Sequence, residues 1–154
     1  MARKPENTHI YLYRKNSKNE YEYAIFQRAD NLEWWQGVCG GVEDGETAEQ
    51  AALREAHEEA GTPLQTQIYR LDTISYLPSD IFSQHKLWGK DVVVIPMFFF
   101  AIYFDGDIKL SREHKEVRWL PYNEAKNLVY FHDQKTALWE LNQRLIRDNL
   151  IRAV

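Results

Sequence analysis

Cysteine is almost absent from this chain of 154 residues, which contains only Cys39. A single thiol cannot form an internal disulfide, so the sequence favours a reducing compartment. Long apolar runs are also missing, since the longest, 92–104, is interrupted by Pro96. A helix needs about 20 apolar residues to cross a bilayer, and the polar start MARKPENTH is not a signal segment. Together these absences predict a cytoplasmic protein without a membrane span.

An excess of positive charge is missing as well. The chain has 19 Lys and Arg against 23 Asp and Glu, for a net charge of −4. This balance argues against a nucleic-acid partner bound through bulk charge. It does not exclude a small nucleotide-like substrate, because a bound cation can reverse the local charge. Repeats and low-complexity tracts are absent too, and the length suits a single domain, 1–154.

Alternation and turn residues predict the order of secondary-structure elements. Strands are predicted at 9–13, 21–27, 67–76, 92–104 and 117–120, and helices at 47–61, 122–128 and 133–149. The glycine-rich passage 37–45 is predicted as a turn, and Pro96 as a bulge or edge position. The last helix should bury a stripe formed by Ala137, Leu138, Leu141, Leu145 and Ile146. These elements predict an α/β fold, with a mixed β-sheet between helices in an α/β/α sandwich.

The segment 40–62 carries the strongest chemical signal. Thr47 and Gln50 form a T-x-x-Q capping box at the start of its helix, which Gly61 ends. Three glutamates of this helix stand at i, i+3 and i+4, so their carboxylates are predicted to converge. Like charges at this spacing repel one another, and a hard divalent cation with a preference for oxygen ligands would neutralise them.

This segment resembles the Nudix box, Gx5Ex7REUxEExGU, where U is a bulky apolar residue. The fixed positions are met by Gly40, Glu46, Arg54, Glu55, Glu58, Glu59 and Gly61, while Ala56 and Thr62 stand at the U positions. The resemblance implies an α/β/α sandwich that hydrolyses phosphoanhydride bonds. It also implies Mg²⁺ as the cofactor, with Mn²⁺ as a substitute.

The resemblance assigns roles within the box. It implies that Glu55 and Glu59 are direct metal ligands and that Glu58 is either a third ligand or the acceptor of a proton from the attacking water. The backbone carbonyl of Cys39 is implied as a further ligand. Glu46 and Arg54 are predicted to pair, so that Arg54 orients the neighbouring carboxylates.

A second stretch, SREHKEVRWLP, resembles the xEHxxxxWL segment that follows the box in many Nudix enzymes. Glu113 occupies its acid position and is predicted as an added metal ligand or general base, with Glu116 as the alternative. His114 is predicted to be an orienting or surface residue, and His57 to face away from the glutamates.

The passage LEWWQGVCGGVEDGET resembles the dihydroneopterin triphosphate and dATP pyrophosphohydrolase branch. This resemblance implies that Arg28 binds substrate phosphates and that Trp35 packs near the base or pterin ring. Cys39 would also line this site. It stands where the branch usually has threonine, which could favour a different ring.

Three functions are therefore compared. The first is Mg-dependent release of pyrophosphate from a nucleoside triphosphate-like substrate, either a dNTP or dihydroneopterin triphosphate. The second is cleavage of ADP-ribose or another nucleoside diphosphate derivative, which Pro78 faintly favours. The third is a non-catalytic nucleotide-binding regulator, and the complete set of box glutamates argues against it. A monomer and a homodimer are both compatible with the sequence.

Overall fold

The chain forms a seven-stranded sheet with helices on both faces, as seen in a computed structural model that describes residues 2–151. Met1 and residues 152–154, part of the domain predicted over 1–154, lie outside the described residues. The strands are β1 (Arg3–Lys15), β2 (Tyr21–Arg28), β3 (Trp35–Gln36), β4 (Val38–Glu43), β5 (Tyr69–Pro78), β6 (Val94–Tyr103) and β7 (His114–Pro121). The helices are α1 (Ala48–Ala60), α2 (Tyr122–Leu128) and α3 (His132–Ile146), with short 3₁₀ turns at Ser79–Ile81 and His85–Trp88.

The sheet is mixed and branches at its middle. The main strand order is β3-β2-β1-β6-β5, while β4 pairs with β1 and β7 pairs with β2. Only β1 and β6 run parallel; the other pairs in the described part of the chain are antiparallel. Because β4 pairs with the first half of β1 and β2 with its last residues, the strand that leads into α1 lies at the branch point.

The two faces of the sheet have different cores. Helix α1 covers the first face with an alanine surface formed by Ala48, Ala51, Ala52, Ala56 and Ala60. Such small side chains let a helix lie close to the strands beneath it. On the opposite face, α2 and α3 cover an aromatic core that includes Tyr11, Tyr23, Trp35 and Phe99. The predicted α/β class and the mixed sheet between helices are confirmed.

Local sequence explains where α1 begins and ends. The Thr47 side chain accepts a hydrogen bond from the backbone N–H of Gln50, whose own side chain binds the Thr47 N–H, so the capping box is complete. Gly61 ends the helix at φ +82°, a left-handed conformation that favours glycine. Thr62, at a position where the box prefers a bulky apolar residue, is fully buried.

Several sequence predictions need correction. The glycine passage 37–45 is not only a turn, because β4 runs through it as Val38–Glu43. For Pro96 the edge alternative is correct and the bulge is not: Pro96 pairs with Tyr76 of β5 but lies one residue before the β1–β6 ladder. Ile146 is 65% exposed and leaves the predicted stripe.

Candidate active site

The three glutamates of α1 differ in their access to solvent. Glu59 is only 3% exposed, and the Glu55 side chain is 14% exposed. Glu58 points outward, with 53% of its side chain exposed. The predicted convergence therefore holds for the two residues that the sequence named as metal ligands, while Glu58 stands at the outer margin of the site.

Arg54 organises one end of this acidic site. Its Nε and Nη2 donate to the two carboxylate oxygens of Glu46 at 2.8 and 2.9 Å, which is a bidentate pair. Nη1 donates to Glu55 at 2.9 Å and, more weakly, to Glu58 at 3.4 Å. Nη2 also donates to the carbonyl of Gly41 at 3.0 Å. The predicted pairing of Glu46 and Arg54 is present, and Arg54 also fixes the orientation of Glu55.

Glu46 links the loop before α1 to Arg54. Glu46 accepts a hydrogen bond from the backbone N–H of Glu43 at 2.9 Å. The Arg54 guanidinium holds the pKa of the Glu46 carboxyl below its usual range, because it stabilises the charged form. Glu46 therefore ties loop and helix together and stays ionised.

Gly40 makes room for the Glu55 carboxylate. A Cβ atom at Gly40 would lie 2.1 Å from Glu55 Cδ, so any side chain there would displace this carboxylate. The Gly40 carbonyl accepts a hydrogen bond from Thr8 of β1 at 3.1 Å, which fixes the strand beneath the site. The glycine of the box is therefore required by a close approach of side chain to backbone.

At the other end of the site, no cation is hydrogen-bonded to the carboxylate. Both carboxylate oxygens of Glu59 are buried without a hydrogen-bond partner among residues 2–151. Burial raises the pKa of Glu59 to about 10, and the nearby Glu113 carboxyl adds to this rise. Burial also raises the pKa of Glu55 to about 7, against the opposing effect of Arg54. Ionising this group of carboxylates therefore requires a positive charge that the described side chains do not supply.

These residues suit a hard divalent cation. Buried carboxylates without donors are the oxygen ligands that Mg²⁺ and Mn²⁺ prefer. Within residues 2–151, no group of three or more His, Cys, Asp or Glu residues already forms a ready metal-binding cluster. Glu113, an exposed residue of the loop before β7, lies close enough to Glu59 and Glu55 to raise the pKa of both.

Cys39 and Arg28 lie beside this group of carboxylates. Cys39 is opposite His9 in the β1–β4 ladder; its thiol pKa is raised by burial and by the charge of Glu59. Arg28 ends β2 and forms a bidentate pair with Asp30 at 2.8 and 2.7 Å. Its charge opposes the rise in the pKa of Glu59, so the guanidinium is close enough to affect the site.

The ring predicted to contact substrate is buried. Trp35 is 7% exposed, belongs to the aromatic core and packs under the Arg118 guanidinium at 4.6 Å. Its neighbour Trp34 lies at the surface instead and contacts Phe131 at 5.1 Å and Tyr130 at 6.3 Å between ring centroids. Because Trp35 is a core residue, the aromatic surface on this side consists of the exposed Tyr130 and the half-buried Trp34 and Phe131.

The other residues singled out in the sequence, Glu116, His114 and His57, lie outside the group of carboxylates. Glu116, the alternative to Glu113, pairs with Arg118 at 2.7 Å on the exposed side of β7. His114 is buried against Phe26, at 4.9 Å between ring centroids, and is not a surface residue. His57 is exposed and contacts the Thr62 carbonyl at 2.8 Å, so it faces away from the glutamates as predicted.

Sequence reasoning missed the aromatic surface and Arg3. Tyr130 and Phe131 follow α2, far from the box in sequence, and no motif marked them. Trp34 is not predicted from sequence, because two adjacent tryptophans in a strand point to opposite faces and the sequence does not show which one is buried. Arg3 lies next to Gly41, where a Cβ would come within 2.5 Å of the guanidinium carbon.

Comparison with known proteins agrees with this geometry. The NUDIX domain family model matches residues 4–140. The bis(5'-nucleosyl)-tetraphosphatase (asymmetrical) of Sus scrofa is 34% identical over 124 residues, which are 80% of each chain. The dihydroneopterin triphosphate diphosphatase of Escherichia coli K12 is 34% identical over 140 residues, covering 88% of this chain and 91% of that protein. A solved NUDIX hydrolase structure from Listeria monocytogenes has 33% identity and a TM-score of 0.84, covering 98% of this chain and 100% of that one.

The fold and the acidic helix define an enzyme that hydrolyses pyrophosphate bonds. The chain belongs to the Nudix hydrolase family, and the resemblance read from its sequence is confirmed. The chain is therefore an enzyme, not the non-catalytic regulator that the sequence left open. In the described chain, no helix is both long and apolar enough to cross a membrane.

Proposed function

We propose that this protein hydrolyses a nucleoside triphosphate-like compound, a dNTP or dihydroneopterin triphosphate, to the monophosphate and pyrophosphate in the cytoplasm. The observation that carries the proposal is Glu59, buried with two unpartnered oxygens beside Glu55 and Glu113. The 34% identity with the dihydroneopterin triphosphate diphosphatase over 88% of this chain supports the substrate class.

Glu55, Glu59 and the Cys39 carbonyl would hold Mg²⁺, which would neutralise phosphate charge and polarise the phosphoryl group when bound. Arg54 keeps the Glu55 carboxylate directed into the site through its 2.9 Å hydrogen bond. We assign to Glu113 the role of accepting the proton of the attacking water, because this exposed carboxylate lies close enough to Glu59 to raise its pKa. Glu58, at the outer margin, is the alternative acceptor.

Substrate recognition is assigned to the opposite side of the site. Arg28 would release Asp30 and bind phosphate oxygens instead, since a guanidinium can donate two parallel hydrogen bonds to either anion. Trp34, Tyr130 and Phe131 offer flat faces for a base or pterin ring, with Tyr130 51% exposed. The monomer or homodimer state stays a prediction.

A second substrate class has specific support. The 34% identical relative from Sus scrofa is named as a tetraphosphatase of bis-nucleosyl compounds. A dinucleoside tetraphosphate could occupy the same carboxylates while its second ring lies elsewhere. Unequal cleavage to a mono- and a triphosphate would distinguish this activity.

A substrate panel with Mg²⁺ tests these proposals. It contains dNTPs, dihydroneopterin triphosphate, diadenosine tetraphosphate, ADP-ribose and nucleotide sugars, with products measured by mass in ¹⁸O-labelled water. Pyrophosphate together with labelled monophosphate supports attack at the α-phosphorus. AMP and a sugar phosphate without pyrophosphate would support the nucleoside diphosphate alternative. Absence of turnover across the panel would contradict the proposal.

A further inference from the structure

Arg3 is a partly buried cation that forms no ion pair among residues 2–151, although the charge of Glu55 is near enough to act on its pKa. Its Nη2 donates to Asn7 at 2.7 Å, while Nε is buried and has no acceptor. No carboxylate forms an ion pair with Arg3 in the described part of the chain. In contrast, Arg54 binds Glu46 and Glu55 directly. Burial lowers the pKa of Arg3, so an added anion would offset a real desolvation cost.

The guanidinium of Arg3 is held in a fixed plane. Its carbon lies 4.3 Å from the centroid of the Phe82 ring and 5.9 Å from that of Trp88. On the side of Gly41 there is no space for even one methyl group. The Trp88 indole N–H donates to the Arg3 carbonyl at 2.8 Å and ties the 3₁₀ turn to β1. A cation already held in place loses little side-chain entropy when it binds an anion.

Three successive residues of β4 connect the candidate active site from one side to the other. The charge of Arg28 lowers the pKa of the Cys39 thiol and partly offsets the rise caused by burial. Gly40 contacts the Glu55 carboxylate, and Gly41 contacts the Arg3 guanidinium. The strand therefore passes from the side of Arg28, past the carboxylates, to Arg3.

We propose that Arg3 binds the terminal phosphate of the substrate, the end that leaves as pyrophosphate. The inference rests on the proposed function and extends it by assigning the two arginines to opposite ends of the phosphate chain. Arg28 then serves the end that carries the ring. A planar fork binds two phosphate oxygens together, which a lysine ammonium cannot do.

The direct test measures pyrophosphate binding in the presence of Mg²⁺ by calorimetry for wild type, Arg3→Gln and Arg3→Lys. We expect Arg3→Gln to weaken binding by roughly 10- to 100-fold, the range for a charged hydrogen bond. Arg3→Lys should restore only part of this loss. In kinetics, KM for a triphosphate should rise more than kcat falls, while a diphosphate analogue without the terminal phosphate should be insensitive.

Arg14 is a matched control in the same strand. It also stacks on an aromatic ring, Trp119 at 4.1 Å, but it pairs with Glu22 at 3.1 Å and lies toward the other end of β1. Arg14→Gln should leave pyrophosphate binding unchanged. A further variant, Gly41→Ala, keeps the charge of Arg3 but pushes the guanidinium aside, and should therefore reproduce the loss seen with Arg3→Gln.

Each outcome decides between binding and structure. Unchanged pyrophosphate affinity in Arg3→Gln, with a lower Tm, would make Arg3 only a clamp for the turn that carries Phe82 and Trp88 and would overturn the inference. Wild-type protein that fails to bind pyrophosphate with Mg²⁺ would overturn it too. If pyrophosphate binds through Arg3 but no panel compound is hydrolysed, the proposed function fails and the anion site stands.

Discussion

The two ends of the acidic site differ in how their charges are satisfied. At the Arg54 end, Glu46 and Glu55 accept hydrogen bonds of 2.8–2.9 Å from a single guanidinium. At the Glu59 end, two buried oxygens have no donor among residues 2–151. The protein therefore supplies its own cation at the end that fixes the loop, and none is hydrogen-bonded at the end where we propose an exchangeable metal ion. This difference separates residues that position the site from residues that bind within it.

The largest expected effect comes from removing charge at the unpartnered end. Glu59→Gln should lower kcat by at least about 100-fold, more than is usual for an outer positioning contact. The fold should survive, because the amide is neutral, like the protonated acid that burial favours at Glu59, and nearly the same size. Steady-state kinetics and thermal unfolding in EDTA check both parts. A near-normal kcat would remove Glu59 from the metal site.

Removing the Arg54 guanidinium should lower both the free energy of unfolding and kcat. Arg54→Gln leaves Glu46 and Glu55 without their donor, so we expect a loss of about 1–3 kcal/mol in the free energy of unfolding and a 10–100-fold lower kcat, roughly the range for orienting contacts. Urea unfolding and kinetics measure the two effects.

Arg144 provides the control for that experiment. It donates to Glu140 at 2.7 Å and Asp72 at 2.6 Å, with a side chain that is 14% exposed, away from the glutamates. Arg144→Gln should lose similar stability without losing activity. Equal loss of kcat in both variants would show that Arg54 acts only through stability.

A smaller effect is expected from the loop before β7. Glu113→Gln should lower kcat by about 10–100-fold, a range below or at the low end of general-base effects, because Glu58 can partly replace it. Glu116→Gln should leave kcat unchanged, since Glu116 faces Arg118 on the exposed side of the strand. The pair is compared at saturating substrate, and the reverse order of effects would move the role to Glu116.

The pH dependence of stability should be the smallest effect. The folded pKa of Glu59 is about 10, whereas the unfolded carboxyl titrates near 4.5. Between these values the folded state binds more protons, so stability without metal falls as pH rises, by at most about 1.4 kcal/mol per pH unit. Between pH 7 and 8.5, Glu55, with a folded pKa of about 7, adds a fall of the same sign at the lower end. His9, whose folded pKa is about 3, contributes only below its unfolded value of 6.5, and the Cys39 thiol only near and above 9.

Denaturant unfolding in EDTA across that window tests the sign. We expect wild-type stability to fall from pH 7 to 8.5, and the slope above pH 8 to vanish in Glu59→Gln. Saturating Mg²⁺ should also flatten the slope in the wild type, because it favours the ionised carboxylates. A stability that rises with pH in EDTA would contradict the buried, unpartnered state of Glu59.

The sequence predicted the features that depend on local spacing. The capping box at Thr47, the Gly61 stop and the pairing of Glu46 with Arg54 follow from short-range chemistry, and all are present. The unequal burial of Glu58 and Glu59 was not predictable from spacing, since it depends on which side of α1 rests against the sheet.

Features that depend on tertiary packing were predicted less well. Trp34 and Trp35 are adjacent in sequence, yet only Trp35 enters the core. Arg3 is brought to Gly41 by the pairing of β1 with β4, a contact across nearly forty positions that no local motif encodes. The site roles remain predictions that the variants above test.

The central claim is that Glu55 and Glu59 bind a divalent cation. Diffraction from crystals soaked in Mn²⁺, collected for anomalous signal, tests it most directly. The account predicts a peak within about 2.0–2.6 Å of oxygens from both carboxylates, the range for hard-cation ligands, and its loss in Glu59→Gln. Crystals with saturating Mn²⁺ but no peak between these residues would contradict it.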